Sequence, residues 1–97
     1  ILRRMDTLSS MTASVDDFYI GMDSTAGAIE LRLPDAAVLT DGHTYIIKDE
    51  GGEAGTNNIT ILASGSQTID GENSLVLESP YASLSLYCNG FDRYYVY

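Results

Sequence analysis

Residues 82–97 read ASLSLYCNGFDRYYVY, and this stretch decides the fold class. Leu84 and Leu86 alternate with serines, which is the two-residue period of a strand with one buried face. Asn89-Gly90 is a strong hairpin signal, because Gly, Asn and Asp enter left-handed turn conformations at low cost. The residues after it, 92–97, are again rich in aromatic side chains. The C-terminal stretch therefore predicts a β-hairpin.

The same pattern continues through most of the chain. Two further turn dipeptides, Asp41-Gly42 and Asp70-Gly71, each precede β-type residues. We predict eight short strands, at residues 15–20, 28–33, 43–49, 59–63, 67–70, 74–79, 82–88 and 92–97. Short strands without intervening helices are typical of antiparallel sandwiches and barrels. Residues 14–97 are therefore predicted to form one all-β domain, a small antiparallel β-sandwich.

Charge and length restrict the partners. The formal charge is −9 with only five Lys and Arg, which argues against binding to nucleic acid or to an anionic membrane. No apolar stretch approaches the roughly 20 residues of a membrane span. A 97-residue domain has a small core, and one cysteine gives no internal disulfide. We therefore expect a soluble protein that gains stability from neighbouring subunits.

Cys88 continues the alternation of Leu84 and Leu86, so it is predicted to be a small buried apolar residue. A lone thiol fits folding in a reducing cytoplasm. His43 is the single imidazole, and no Gly-x-Ser-x-Gly element is present. We predict that the domain is not an enzyme and holds no cofactor or metal.

The N-terminal residues 1–13 have a different period. Ile1, Met5 and Leu8 are spaced by four and three residues, as in a coiled-coil seam. The segment is predicted to be either the end of a coiled-coil stalk, with these residues at a subunit interface, or a linker without fixed structure.

The longest irregular segment, residues 49–58, is glycine-rich and acidic. We expect a mobile surface loop, with Asp49, Glu50, Glu53, Asn57 and Asn58 as its candidate contact residues. Oxygen ligands of this kind also suit calcium, but the spacing matches no EF-hand. A solvated loop is the favoured interpretation.

Tyrosines are concentrated at the C-terminus: Tyr87, Tyr94, Tyr95 and Tyr97 lie within the last eleven residues. Tyrosine joins a large apolar ring to a polar tip, and therefore suits both subunit interfaces and sugar-stacking surfaces. Adjacent Tyr94 and Tyr95 must point to opposite faces of a strand. We assign the four tyrosines to a subunit interface, with a ligand platform as the alternative.

Several segments together resemble a motif that recurs in tail fibre, tail needle and tail spike proteins of bacteriophages. They are IELRLPDA at 29–36, DGHTYIIKDEGGEAGTNNITI at 41–61, TIDG at 68–71, YASLSLY at 81–87 and NGFDRYYV at 89–96. The resemblance covers residues 15–97 in order and spacing. The family pattern usually ends in an aromatic next to Tyr or Phe, and Tyr94-Tyr95 is a minor departure from it.

This resemblance implies a knob of jelly-roll or tumour-necrosis-factor-like shape that works as a homotrimer on a virion tail. It implies assembly in the host cytoplasm, contacts with other tail proteins, and contact with a glycan or protein of the host surface. The alternative is a carbohydrate-binding or trimerisation module attached to a fibre-borne depolymerase. An acidic module of this charge cannot attach to an anionic surface by charge attraction, so neutral glycan or protein contacts are expected.

Overall fold

The computed structural model of the chain describes residues 3–7, 9–39 and 42–97. Within these residues the chain forms ten strands and one short 3₁₀ helix, Ala36–Val38, with Asp35 at its N-cap. All eight predicted strands are present, which confirms the all-β class. The strands are β1 Arg3–Thr7, β2 Met11–Thr12, β3 Asp17–Met22, β4 Ile29–Arg32, β5 Thr44–Asp49, β6 Ile59–Leu62, β7 Thr68–Ile69, β8 Ser74–Leu77, β9 Ser83–Cys88 and β10 Arg93–Val96.

The strands form two sheets whose inner faces share one apolar core. One sheet has six strands in the order β1-β3-β5-β9-β10-β7, and the other has four in the order β2-β4-β6-β8. From β1 to β8 the chain changes sheet after every strand. Among the first six strands, those two apart in sequence lie side by side, and β1–β3, β3–β5, β2–β4 and β4–β6 all pair in parallel.

The predicted antiparallel, jelly-roll pairing is therefore wrong for the first part of the chain. The sheets are mixed, with antiparallel pairs β5–β9, β6–β8 and β9–β10, and a further parallel pair between β10 and β7. Parallel neighbours need a long crossover, and here a strand in the opposite sheet supplies it. A two-residue period shows which face of a strand is buried but not the direction of its neighbour.

The three turn dipeptides differ in their outcome. Asn89-Gly90 joins the antiparallel strands β9 and β10, as predicted, with Gly90 at φ 77°. Asp70-Gly71 forms a two-residue turn with φ of 51° and 87°, closed by hydrogen bonds between Ile69 and Glu72 in both directions. That turn leads from β7 in one sheet to β8 in the other. Asp41 lies outside the described residues, and Gly42 precedes β5, which pairs with β3 and β9.

The N-terminal residues Arg3–Thr7 form a strand, and neither the coiled-coil helix nor the unstructured linker that the sequence left open. They pair in parallel with β3, from Arg3 opposite Asp17 to Thr7 opposite Met22. The coiled-coil prediction is therefore wrong at Met5, because three apolar positions at heptad spacing were too few to outweigh pairing with a sheet edge. Ile1 and Leu8 lie outside the described residues.

Alternation along the strands builds the core. Leu31 and Ile29 of β4 are buried while Glu30 and Arg32 are exposed, and Cys88 is fully buried, as predicted. The solvent-accessible surface is 5029 Å², against about 5,400 Å² for a typical folded monomer of this mass. The single protomer is therefore already as closed as an ordinary monomer.

Tyr45 and Tyr94 are the largest fully buried side chains. The Tyr45 hydroxyl donates to the Ser14 carbonyl oxygen at 2.9 Å, and the Tyr94 hydroxyl donates to that of Pro34 at 2.6 Å. Burial raises the pKa of both phenols well above the usual value, and nearby acidic groups raise it further.

Because the buried phenols of Tyr45 and Tyr94 resist ionisation in the folded protein, we predict that the chain unfolds at alkaline pH. Their pKa values in the folded state exceed the value of about 10 in an unfolded chain, so their stabilising effect is complete below pH 10 and is lost as the pH rises above it. We expect their ionisation, followed by tyrosinate absorbance at 295 nm, to coincide with loss of the far-ultraviolet β signal. Tyr94→Phe should remove one such ionisation and lower the free energy of unfolding at neutral pH by about 1 kcal/mol. Ionisation of all seven tyrosines in a chain that keeps its folded spectrum would contradict this.

Candidate functional site on the outer face of the six-stranded sheet

The C-terminal tyrosines divide between the core and the surface. Tyr94 is fully buried and bonded to Pro34, so its assignment to a subunit interface is wrong. Tyr87, Tyr95 and Tyr97 are 37%, 40% and 70% exposed. The sequence predicted that one of Tyr94 and Tyr95 points inward, and the structure shows that it is Tyr94.

Strand register places the exposed tyrosines beside one another on the outer face. Tyr87 of β9 lies opposite Tyr95 of β10 on one side and Thr44 of β5 on the other. A second row is formed by Tyr19, Ile46 and Ser85, and the Tyr97 N–H donates to the Ser85 carbonyl oxygen at 3.1 Å. We call this surface the tyrosine face; it consists of Tyr19, Ile46, Tyr87, Tyr95 and Tyr97.

A polar groove borders the tyrosine face where β7 pairs with β10. Its volume is about 460 Å³, and Tyr95 forms its boundary with the tyrosine face. Thr68 and Arg93 are register partners, and their neighbours Ile69 and Tyr94 point into the core. We call this the β7–β10 groove; its walls include Gln67, Thr68, Gly71, Asp92, Arg93 and Tyr95.

One wall of the groove is fixed from behind. The Gln67 side-chain amide donates to Asp35 Oδ1 at 2.6 Å, and its carbonyl oxygen accepts from the Ala36 N–H at 2.9 Å. The backbone N–H of Ala37 and the Gln67 amide hold the pKa of the Asp35 carboxyl below its usual range. Asp35 is therefore ionised at neutral pH and keeps Gln67 in place.

Sequence reasoning missed this groove. Its residues come from segments about 25 positions apart, and they meet because β10 pairs with the two-residue strand β7. No local pattern indicates that pairing. The nearest signal was Arg93, one of only five cationic residues, two positions before an outward tyrosine.

In the acidic loop, Asp49 has a structural role and not the predicted contact role. It is fully buried, and its carboxylate accepts hydrogen bonds from the N–H groups of Gly52, Ala54 and Tyr81 at 3.1, 3.0 and 2.9 Å. The sequence suggested a solvated acid because glycines and other acids surround it. Alternation from Tyr45 and Ile47 places position 49 on the buried face instead.

Asn57 is also hydrogen-bonded within the protein. Its side-chain amide donates to the Ser24 carbonyl oxygen at 2.8 Å, and the Ser24 hydroxyl donates to the Asn57 carbonyl oxygen at 2.7 Å. Glu50, Glu53 and Asn58 are exposed, and Glu50 accepts a hydrogen bond from the Tyr19 hydroxyl. The loop predicted to be mobile is thus hydrogen-bonded at both ends. Across residues 3–7, 9–39 and 42–97, no group of three His, Cys, Asp or Glu side chains could hold a metal.

Tyr81 lies across this loop. It adopts φ 60°, its ring is 59% exposed, and its carbonyl oxygen accepts a hydrogen bond from Lys48. A Cβ on Gly52, which has φ 76°, would lie 2.6 Å from Tyr81 Cζ. The absence of a side chain at Gly52 therefore leaves space for the Tyr81 ring beside the loop backbone.

His43 is built into the fold beside β3. Its Nε2 lies 3.2 Å from the Asp17 carbonyl oxygen, and its ring packs edge-on to Tyr45 with centroids 4.8 Å apart. In the described part of the chain no nucleophile or carboxylate is shown bonded to this ring.

No protein-family model matches this chain, and no curated protein matches its sequence. The resemblance to phage tail proteins therefore stays a prediction. Among the residues that the structure describes, no helix is long and apolar enough to cross a membrane.

The role of Asp49 predicts a large effect of its removal. Asp49→Ala leaves three N–H groups without their acceptor, and should lower the free energy of unfolding by about 3 kcal/mol in urea denaturation. Glu53→Ala, in the same loop but exposed, is the matched control and should change it by less than about 0.5 kcal/mol. Equal effects of the two substitutions would contradict the structural role of Asp49.

We predict a second effect on stability at Gly52, which can be measured separately from that of Asp49. Gly52→Ala combines a left-handed backbone with a collision against Tyr81, whereas Gly65→Ala has φ 56° and nothing within 4 Å of the added Cβ. We expect Gly65→Ala to cost about 1 kcal/mol from the backbone alone, and Gly52→Ala to cost clearly more. Thermal unfolding of the two variants measures the difference. A Gly52→Ala protein as stable as Gly65→Ala would show that Tyr81 yields without cost.

Proposed function

We propose that this domain is a trimeric knob of a bacteriophage tail appendage, located on the virion, that contacts the surface of the host cell. The proposal is supported by the resemblance of residues 15–97 to tail proteins, and the all-β, two-sheet fold agrees with the coarse architecture that the resemblance implies. The single structural observation that carries it is the tyrosine face.

The tyrosine face suits contact between copies of the chain. Away from the β7–β10 groove it places two exposed aromatic rings, Tyr87 and Tyr97, beside the half-buried Ile46 on one side of the larger sheet. Aromatic residues are enriched at the centres of protein interfaces, where their rings exclude water and their hydroxyls find partners. Neighbouring Ser83 and Ser85 are small enough to let rings from another copy approach.

The acidic charge bears on the mode of attachment. A protomer of net charge −9 is repelled by an anionic bacterial surface, and a trimer more so. The knob would therefore bind neutral groups of its host.

The oligomeric state tests the proposal. Light scattering of the purified chain should give three times its 10.5 kDa mass, with or without EDTA. The double variant Tyr87→Ser/Tyr97→Ser should lower the mass to that of a monomer while keeping the β spectrum, because the protomer is closed by its own core. Tyr81→Asn is the matched control, since it removes an exposed tyrosine outside the tyrosine face from a left-handed position that Asn tolerates. A wild-type monomer would overturn the proposal.

A further inference from the structure

The β7–β10 groove presents an aromatic ring beside hydrogen-bonding groups of both kinds. Thr68, Arg93 and Tyr95 point outward together because their register neighbours Ile69 and Tyr94 point inward. The Tyr95 ring is 40% exposed. Asp92 supplies a carboxylate and Arg93 a guanidinium. The volume of about 460 Å³ falls within the range of small-ligand pockets.

The walls of the groove are held by bonds that do not need a ligand. Asn89 Nδ2 donates to Asp92 Oδ1 at 3.1 Å, and Asn89 Oδ1 accepts the N–H groups of Phe91, Asp92 and Arg93. On the opposite side, Asp35 and Ala36 hold the Gln67 side chain. A site whose walls are fixed in advance loses little conformational freedom on binding.

No described residue neutralises the charge of the Arg93 side chain in an ion pair. The guanidinium of Arg93 is exposed, and the structure shows it in no ion pair with any of the described residues. The guanidinium donors of Arg93 and the carboxylate of the adjacent Asp92 place opposite charges next to each other at one wall of the groove. Adjacent hydroxyl groups match such a pair, because a hydroxyl both donates and accepts hydrogen bonds.

These features together select a class of ligand. A sugar ring has an apolar face that stacks on an aromatic ring and a rim of hydroxyls that need both donors and acceptors. The local charges of Asp92 and Arg93 cancel, and the net charge of −9 disfavours an anionic ligand. The groove therefore fits a neutral sugar better than an acidic one.

We propose that the β7–β10 groove binds a short neutral oligosaccharide, with one sugar ring on Tyr95 and its hydroxyls bonded to Arg93 and Asp92. This deepens the proposed function and rests on it for the source of the sugar, a host surface. The trimer contact is placed on Tyr87 and Tyr97, whereas Tyr95 forms the boundary of the groove.

The test is a titration of the ¹⁵N-labelled chain with linear trisaccharides of neutral hexoses and of N-acetylhexosamines, followed by amide and arginine side-chain NMR shifts. We expect at least one to give saturable shifts confined to residues 66–71 and 92–95. Arg93→Gln and Tyr95→Ala should each weaken that binding about tenfold or more. Tyr81→Asn, which removes an exposed tyrosine outside the groove, should leave it unchanged.

Three results would overturn the inference. They are no saturable shift with any neutral trisaccharide, shifts that survive both groove substitutions, and saturable binding of a uronic acid trisaccharide alone. The mass of each sample separates this inference from the proposed trimer. A monomer that binds sugar would support the sugar site and contradict the trimeric knob. A trimer that binds no sugar would support the knob and contradict the sugar site.

Discussion

The fold depends on how the backbone is satisfied where the chain passes from one sheet to the other. Such crossovers leave the ladders and bring backbone polar groups close to the core, where an unpaired group is costly. Three buried side chains meet this need. Tyr45 bonds the carbonyl after β2, Tyr94 bonds the carbonyl after β4, and Asp49 accepts three N–H groups from the loops that leave β5 and β8.

The sequence could predict where the strands lie but not how they pair. A two-residue period located strands such as residues 82–88, and turn dipeptides followed by β-type residues located others. The same period carries no information on which strand lies beside which. The parallel winding of β1 to β6, and the role of Asp49 within it, follow from contacts between residues far apart in sequence.

The turn dipeptides show the same limit. Asn-Gly and Asp-Gly identify a place where the chain adopts positive φ, and Gly90 and Gly71 do so. They do not say whether the next strand returns to the same sheet, as β10 does after Gly90, or enters the other, as β8 does after Gly71.

The candidate site was predictable in part for the same reason. Alternation required one of Tyr94 and Tyr95 to face outward, and this was enough to indicate an aromatic surface. In the structure Tyr94 lies opposite the buried Cys88 of β9, and the pairing of β7 with β10 places Ile69 on its other side. The groove arises from that same pairing, so no reading of local sequence could have located it.

The closed protomer changes what an assembly of this domain would depend on. A radius of gyration of 12.3 Å, against about 12.5 Å for a compact chain of this length, shows that one protomer is as compact as an ordinary monomer. The sequence argument for a trimer from a small core therefore loses its force, and the argument from the tyrosine face replaces it. Subunits joined through a surface of folded protomers can separate without unfolding. In such an assembly the β7–β10 groove, whose walls are held within one protomer, would keep its shape whether or not the neighbours are present.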